Sequence, residues 1–380
     1  MDTWQQHSIT YTGTTYSNML NSVKWGTLDS QGANSRSEGF EFGWESRYSA
    51  DPREENAFWV EYDGTSYDYH GLSDVPGGSG SDGRLHTYMV VPGENSQLAL
   101  YFDFNPIAST TKAESARIGE SSGGLSAETL EAATFAGPYQ HRIQLLDGNY
   151  TWRRPWVAEV STRELYPCDA PRNAPATGGP NTPPRCLTAS TVAKAGTNPP
   201  SVDYFEVSKP SSATLQARAS AVPVTGASEF YNGVDQRALA ECMNADASRC
   251  VTDVPGLAEC IGAHKACNMN VQRSRPERGT KPRGVSERQA LDLARKALTL
   301  SSRSSETAKV RTISAQKPAS AMAGSSQTLP QRDVIVVEGR EKVRSLLGRQ
   351  TEGYDGYRLA FDPVNGSLLH ACLGACPALQ

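Results

Sequence analysis

The chain of 380 residues contains no run of about 18 consecutive apolar residues, so no stretch reads as a membrane-spanning helix. Met1 to Thr10 carry neither a basic start nor an apolar run, and no signal peptide is legible there. No cysteine precedes Cys168, and no tryptophan follows Trp156. Histidine is scarce, with six in all, which narrows the choice of acid–base groups. No repeat of fixed period is present. Charge of one sign is lacking too: the net value is −4, which favours no particular partner and gives no reason to expect nucleic acid. Hydrophobic residues make up only 38% of the chain, against 33 Gly and 23 Pro, which points to a loop-rich protein with limited core material.

What is present is unevenly spread. Residues 1–160 hold all six Trp, six of nine Phe and ten of fifteen Tyr, with a net charge of −11. Residues 161–380 hold all eight Cys and a net charge of +7. An aromatic, acidic, cysteine-free block and a basic, cysteine-bearing one are different folding problems, so the sequence predicts several domains. The expected organisation is α+β: an antiparallel β-sandwich or jelly roll over 1–166, a Pro/Ser-rich linker over 167–228, a cysteine-stapled helical hairpin over 229–272, and a small α+β unit over 284–380.

In the first block, Phe40, Phe42 and Trp44 fall at period 2, and Phe58–Tyr62, His86–Val91, Leu98–Phe104 and His141–Leu146 are β-prone runs. Pro92-Gly93, Asn105-Pro106 and Asp147-Gly148-Asn149 supply turns between them. One helix is expected at Ser126–Ala133, because Ser126 can cap it. Within the linker, Asp203–Val207 reads as an edge strand returning to the sandwich, and Cys168 and Cys186 are placed to close a proline-rich loop.

Asp235–Cys250 and Gly256–Cys267 both read as helices about a Pro255-Gly256 turn. Cys242 and Cys250 lie two helical turns apart, as do Cys260 and Cys267, so an antiparallel hairpin would join Cys242 to Cys267 and Cys250 to Cys260. The rival is a metal site through Cys260-x3-His264-x2-Cys267, although this segment has no closely spaced C-x2–4-C pair. A further bridge, Cys372–Cys376, is expected near the C-terminal end. The basic run Arg273–Arg283 lacks aromatic residues to stack on bases and reads as a solvated linker.

In the last hundred residues, Ser286-x2-Gln289 forms a capping box, with Val285 and Ala290 as its staple. Ala290, Leu291, Ala294, Ala297 and Leu298 then make one apolar face. A Ser-rich, weakly structured stretch leads to a strand at Asp333–Glu338. Tyr357–Phe361, the turn Asp362–Gly366 and Ser367–His370 then form a hairpin reading YRLAFDPVNGSLL. A helix packed on such a hairpin resembles the PepSY-like units of bacterial exported proteins, which implies an extracytoplasmic binding or inhibitory module without a catalytic residue. With 27 Arg against 10 Lys, the chain is also similar in style to secreted proteins of actinobacteria, a likeness that transfers no site.

Four features bear on chemistry. Gly119-Glu120-Ser121-Ser122-Gly123 has the spacing of a nucleophile elbow, but the polar residues before it do not make a buried strand, and a flexible loop accounts for it. Gly77–Leu85 approximates a calcium-binding repeat with Arg84 in the apolar slot. The oxygen ligands Asp63, Asp68, Asp74 and Asp82 remain as candidates for one structural calcium ion, against solvated turn carboxylates. One of His70, His86 and His141 could pair with Glu41, Glu61 or Asp103 for acid–base work. Tyr62, Tyr67, Tyr69 and Tyr88 are candidates for stacking on sugar rings, whereas the Trp residues read as core. Paired cysteines favour an oxidising compartment. The leading expectation is therefore an exported or cell-surface, non-catalytic binding protein for a glycan or another surface ligand. The alternatives are a secreted hydrolase with a His/carboxylate site in the sandwich, and an intracellular interaction protein.

Overall fold

The computed structural model describes residues 1–6, 9–11, 17–28, 34–48, 54–62, 66–72, 82–111, 122–129, 133–135, 139–149, 151–159, 188–208, 229–269, 284–298, 307–314, 331–343, 353–364 and 366–376. Two antiparallel sheets dominate. In the seven-stranded sheet the order is Thr188–Ala193, Val202–Ser208, Tyr139–Ile143, Asp2–Gln5, Leu85–Pro92, Leu98–Phe102 and Asn105–Ser109. In the nine-stranded sheet it is Ser122–Thr129, Ser17–Leu28, Asn34–Tyr48, Glu54–Tyr62, Ser66–Gly71, Leu368–Gly374, Tyr354–Phe361, Gln331–Val343 and Thr307–Ser314.

Strand alternation decides which side chains meet. Phe40, Phe42, Trp44 and Trp59 on one sheet pack against Trp4, Tyr88, Leu100 and Phe102 on the other, giving an aromatic core between the layers. Trp4 stacks on Tyr88 at 4.0 Å, an arrangement that adds to plain burial. The outer face of the seven-stranded sheet, with Met89, Val91, Ala99 and Tyr101, is covered by the cysteine-bearing helical unit. The outer face of the nine-stranded sheet carries Tyr62, Tyr67, Tyr69, Leu359 and Phe361 and is covered by the helix Glu287–Leu298 through Ala290, Ala294 and Leu298. Four layers result: helices, sheet, sheet, helix. Ser286 and Gln289 close the capping box as expected, with the Ser286 amide donating to Gln289 Oε1 at 2.9 Å.

Several expectations need correction. Cys242 pairs with Cys250 and Cys260 with Cys267, not across the hairpin as Cys242–Cys267 and Cys250–Cys260. The spacing argument assumed unbroken helices. Helix α1 (Gln236–Asp246) instead ends where Asp246 leaves helical angles (φ −159°, ψ 88°) and its carboxylate accepts from Ser248 N and Oγ. The chain then restarts as α2 (Cys250–Asp253), which brings the two Cα atoms to 5.7 Å. The second pair closes likewise: α3 (Leu257–Gly262) stops and His264 adopts φ 53°, returning Cys267 to within 6.0 Å of Cys260. That bridge also removes the metal reading of Cys260-x3-His264-x2-Cys267. Cys372–Cys376 is present, while Cys168 and Cys186 lie outside the described residues.

The helix expected at Ser126–Ala133 is absent: Ser122–Thr129 is an edge strand paired with Ser17–Leu28. Thr307–Ser314, expected to be weakly structured, pairs with Gln331–Val343 at the opposite edge. Val202–Ser208 does return to the first block, beside Tyr139–Ile143, with Thr188–Ala193 outside it. Finally, the nine-stranded sheet runs through the boundaries drawn at 166 and 284, because Leu368–Gly374 is hydrogen-bonded to Ser66–Gly71.

Candidate metal centre

Ser66–Gly71 and Leu368–Gly374 pair antiparallel with His370 opposite His70 and Cys372 opposite Asp68. Cross-strand partners and i, i+2 neighbours share a face, so Asp68, His70 and His370 all project from the inner side of the nine-stranded sheet. One ligand atom from each lies within 4.8 Å of the other two, and among the described residues this is the single group of three or more such side chains. His370 Nε2 is 2.6 Å from Asp68 Oδ1, and His70 Nε2 is 3.4 Å from Asp68 Oδ2. Trp59, opposite His70 in register, stacks on its imidazole at 3.9 Å and fixes the ring plane. The side chains of Asp68 and His370 keep 20% and 17% of their exposure against 9% for His70, so the site opens on the Asp68–His370 side.

The electrostatics suit ligation. Burial opposes ionisation of Asp68, but the hydrogen bonds from His370 and His70 outweigh it and hold the carboxyl well below the usual carboxylate range. Burial pushes His70 below its ordinary value, with the Asp68 hydrogen bond acting the other way, which keeps this imidazole neutral at neutral pH and able to donate a lone pair. His370 Nδ1 is buried and has no hydrogen-bond partner among the described residues. Two imidazoles and one carboxylate suit zinc and neighbouring divalent transition ions, whereas calcium takes oxygen ligands. A divalent ion held by these three donors would keep a coordination position for water or a substrate.

The other sequence candidates fall elsewhere. Asp82 turns to a different histidine, with its Oδ1 3.1 Å from His86 Nε2, so Asp68 and Asp82 do not share an ion. Asp63 and Asp74 lie outside the described residues. Tyr62, Tyr67, Tyr69 and Tyr88 are all buried, so they form no sugar-stacking strip. The alternation that made them conspicuous places them in the layers of the core. Tyr69 donates to Glu45 and accepts from Asn56 Nδ2 at 3.1 Å, and Tyr88 accepts from Gln6 Nε2 at 2.6 Å. Glu61 accepts from Thr111 N and Oγ1. His86 Nδ1 meets Asp103 at 2.7 Å, and His141 Nδ1 meets Asp2 at 2.7 Å, both inside the structure. Ser121 lies outside the described residues, and Ser122–Thr129 after it is a strand where a nucleophile elbow needs a helix.

No protein-family model matches this chain, and neither the curated proteins nor the solved structures contain a match to it. The site therefore stands on its own geometry. His370 was not among the sequence candidates, since only strand pairing across 302 residues sets it beside Asp68. The available signal was slight: a histidine between Leu369 and Ala371 in an apolar strand.

Proposed function

We propose that the protein is an exported or cell-surface binding protein whose ligand is a divalent transition-metal ion, zinc being the natural probe. The observation that carries this reading is the convergence of Asp68, His70 and His370 within 4.8 Å. Export is supported by the disulfides, which persist in oxidising compartments. Among the described residues no helix is long and apolar enough to cross a membrane. The glycan reading loses its four tyrosines to the core.

The test is calorimetry on chelator-stripped protein titrated with zinc chloride. One ion per chain is expected. His370→Ala and Asp68→Ala should each weaken binding by more than about 100-fold, the upper end of what removing a mere supporting partner costs. Unchanged affinity in both variants would place any bound zinc elsewhere. The open coordination position favours a second reading, a metal-assisted hydrolase. It is checked by turnover of p-nitrophenyl acetate and p-nitrophenyl phosphate by the zinc-loaded protein, with loss of activity in His370→Ala.

A further inference from the structure

The nine-stranded sheet is two halves joined along one line. Five strands drawn from residues 17–129 lie on one side and four drawn from 307–374 on the other. Among the described residues, Ser66–Gly71 against Leu368–Gly374 is the single pairing between them. The outer face of this seam is apolar: Tyr67 stands opposite Leu373 and Tyr69 opposite Ala371, all under the helix-covered core. The inner face carries Asp68, His70 and His370, with the disulfide-bonded Cys372 opposite Asp68.

The register of the seam has little slack. A Cβ added to Gly71, next to His70, would lie 2.2 Å from the Leu368 carbonyl oxygen, so the two backbones already touch at this end. A slip by one residue would turn Tyr67 and Tyr69 inward and Asp68 and His70 outward. The seam is therefore either paired with the three donors assembled or open with His370 parted from Asp68 and His70.

We infer that the ion acts as a clasp, bound at once to both strands, so that metal availability sets how often the 307–374 half lifts from the 17–129 half. The inference rests on the metal-binding reading above and deepens it. Two features give the clasp its leverage. A link between residues far apart in the chain removes the most freedom from the open form, and here Asp68 and His370 are 302 residues apart. Further, the inner face holds a carboxylate and two imidazoles partly out of water, and coordination would join them in a three-point bond across the seam.

Linkage sets the size of the effect. An opening that destroys the site is suppressed by the factor 1 + [L]/Kd. Hydrogen exchange on the full chain, stripped by chelator and then given zinc chloride alone, reads this directly. At free zinc of about 100 times its Kd, amides of 66–71 and 368–374 should exchange about 100-fold more slowly. Those of Thr188–Ala193, at the far edge of the other sheet, should not change. His370→Gln, which keeps a polar side chain but loses the imidazole, should abolish the slowing. Calorimetry on the same samples separates the failures. One zinc bound without selective slowing at the seam overturns the clasp and leaves the metal-binding reading standing; absence of binding overturns both.

Discussion

Replacing His86 with leucine removes a cation that two carboxylates share inside the protein. Its Nδ1 lies 2.7 Å from Asp103 Oδ2 and its Nε2 3.1 Å from Asp82 Oδ1. Asp103 also accepts from the Thr87 amide at 2.9 Å. It sits with φ 47° in the two-residue turn Asp103-Phe104, a conformation that non-glycine residues adopt rarely. Burial alone would drive the imidazole towards its neutral form, but Asp103 and then Asp82 outweigh burial and raise the group to about 10. The unfolded chain releases this proton near 6.5. The folded chain thus binds more protons between those values, and stability falls as pH rises through that window, by up to about 1.4 kcal/mol per pH unit. Below 6.5 the contribution is complete; from pH 7 to 9 about 2–3 kcal/mol should go. At pH 7, His86→Leu leaves Asp103 buried without its counter-charge, which costs about 3–5 kcal/mol. Urea unfolding in thiol-free buffer at pH 6, 7, 8 and 9 measures both effects. The variant should show a flatter pH profile, and adding Asp103→Asn should recover part of the loss. Parallel profiles for wild type and variant, or a loss under about 1 kcal/mol, would refute the shared-cation account.

Non-reducing peptide mapping should return Cys242–Cys250, Cys260–Cys267 and Cys372–Cys376; recovery of Cys242–Cys267 contradicts the chain reversal at Asp246. Serine at both Cys242 and Cys250 should lower stability by about 2–3 kcal/mol, read from the urea midpoint. Gly71→Ala forces the Leu368 carbonyl aside and should cost about 1–3 kcal/mol in thermal or urea melts, whereas a neutral outcome would show that the seam has room to spare. A fragment ending at residue 166 should unfold without cooperativity or self-associate, since it leaves one edge of Ser66–Gly71 unpaired and uncovers Tyr67 and Tyr69; a sharp monomeric melt would show that the first block is independent after all.

Local physics was legible in the sequence, and long-range pairing was not. Period-2 aromatics at Phe40, Phe42 and Trp44, the turn at Asp147-Gly148, and the Ser286/Gln289 capping box each declare themselves within a few residues, and each stands where the pattern put it. Ser122–Thr129 misled because a capping serine and helix-tolerant residues say nothing about the edge of Ser17–Leu28 waiting to be paired. The cysteines misled because two-turn spacing constrains geometry only while the helix lasts, and Asp246 ends it. Of the candidate centre, Asp68 and His70 were legible as chemistry-bearing residues, each with the wrong partner in view. His370 depends on register between strands at opposite ends of the numbering, which alternation within either strand does not encode. The tyrosines show the converse: an aromatic at a strand position looks the same whether it meets solvent or a helix laid over the sheet.

The seam also sets a schedule for synthesis. Ser66–Gly71 leaves the ribosome some 300 residues ahead of the strand that completes it, since the paired side chains Asp68 and His370 are 302 residues apart. At about 5–20 residues per second, the interval is roughly 15–60 s. Throughout it the nascent chain carries an open strand edge flanked by Tyr67 and Tyr69, the kind of surface that recruits other chains. Non-local closure of this sort also slows folding after release. Until the Leu368–Gly374 strand arrives, that edge is the place where association with other chains is expected to compete with folding.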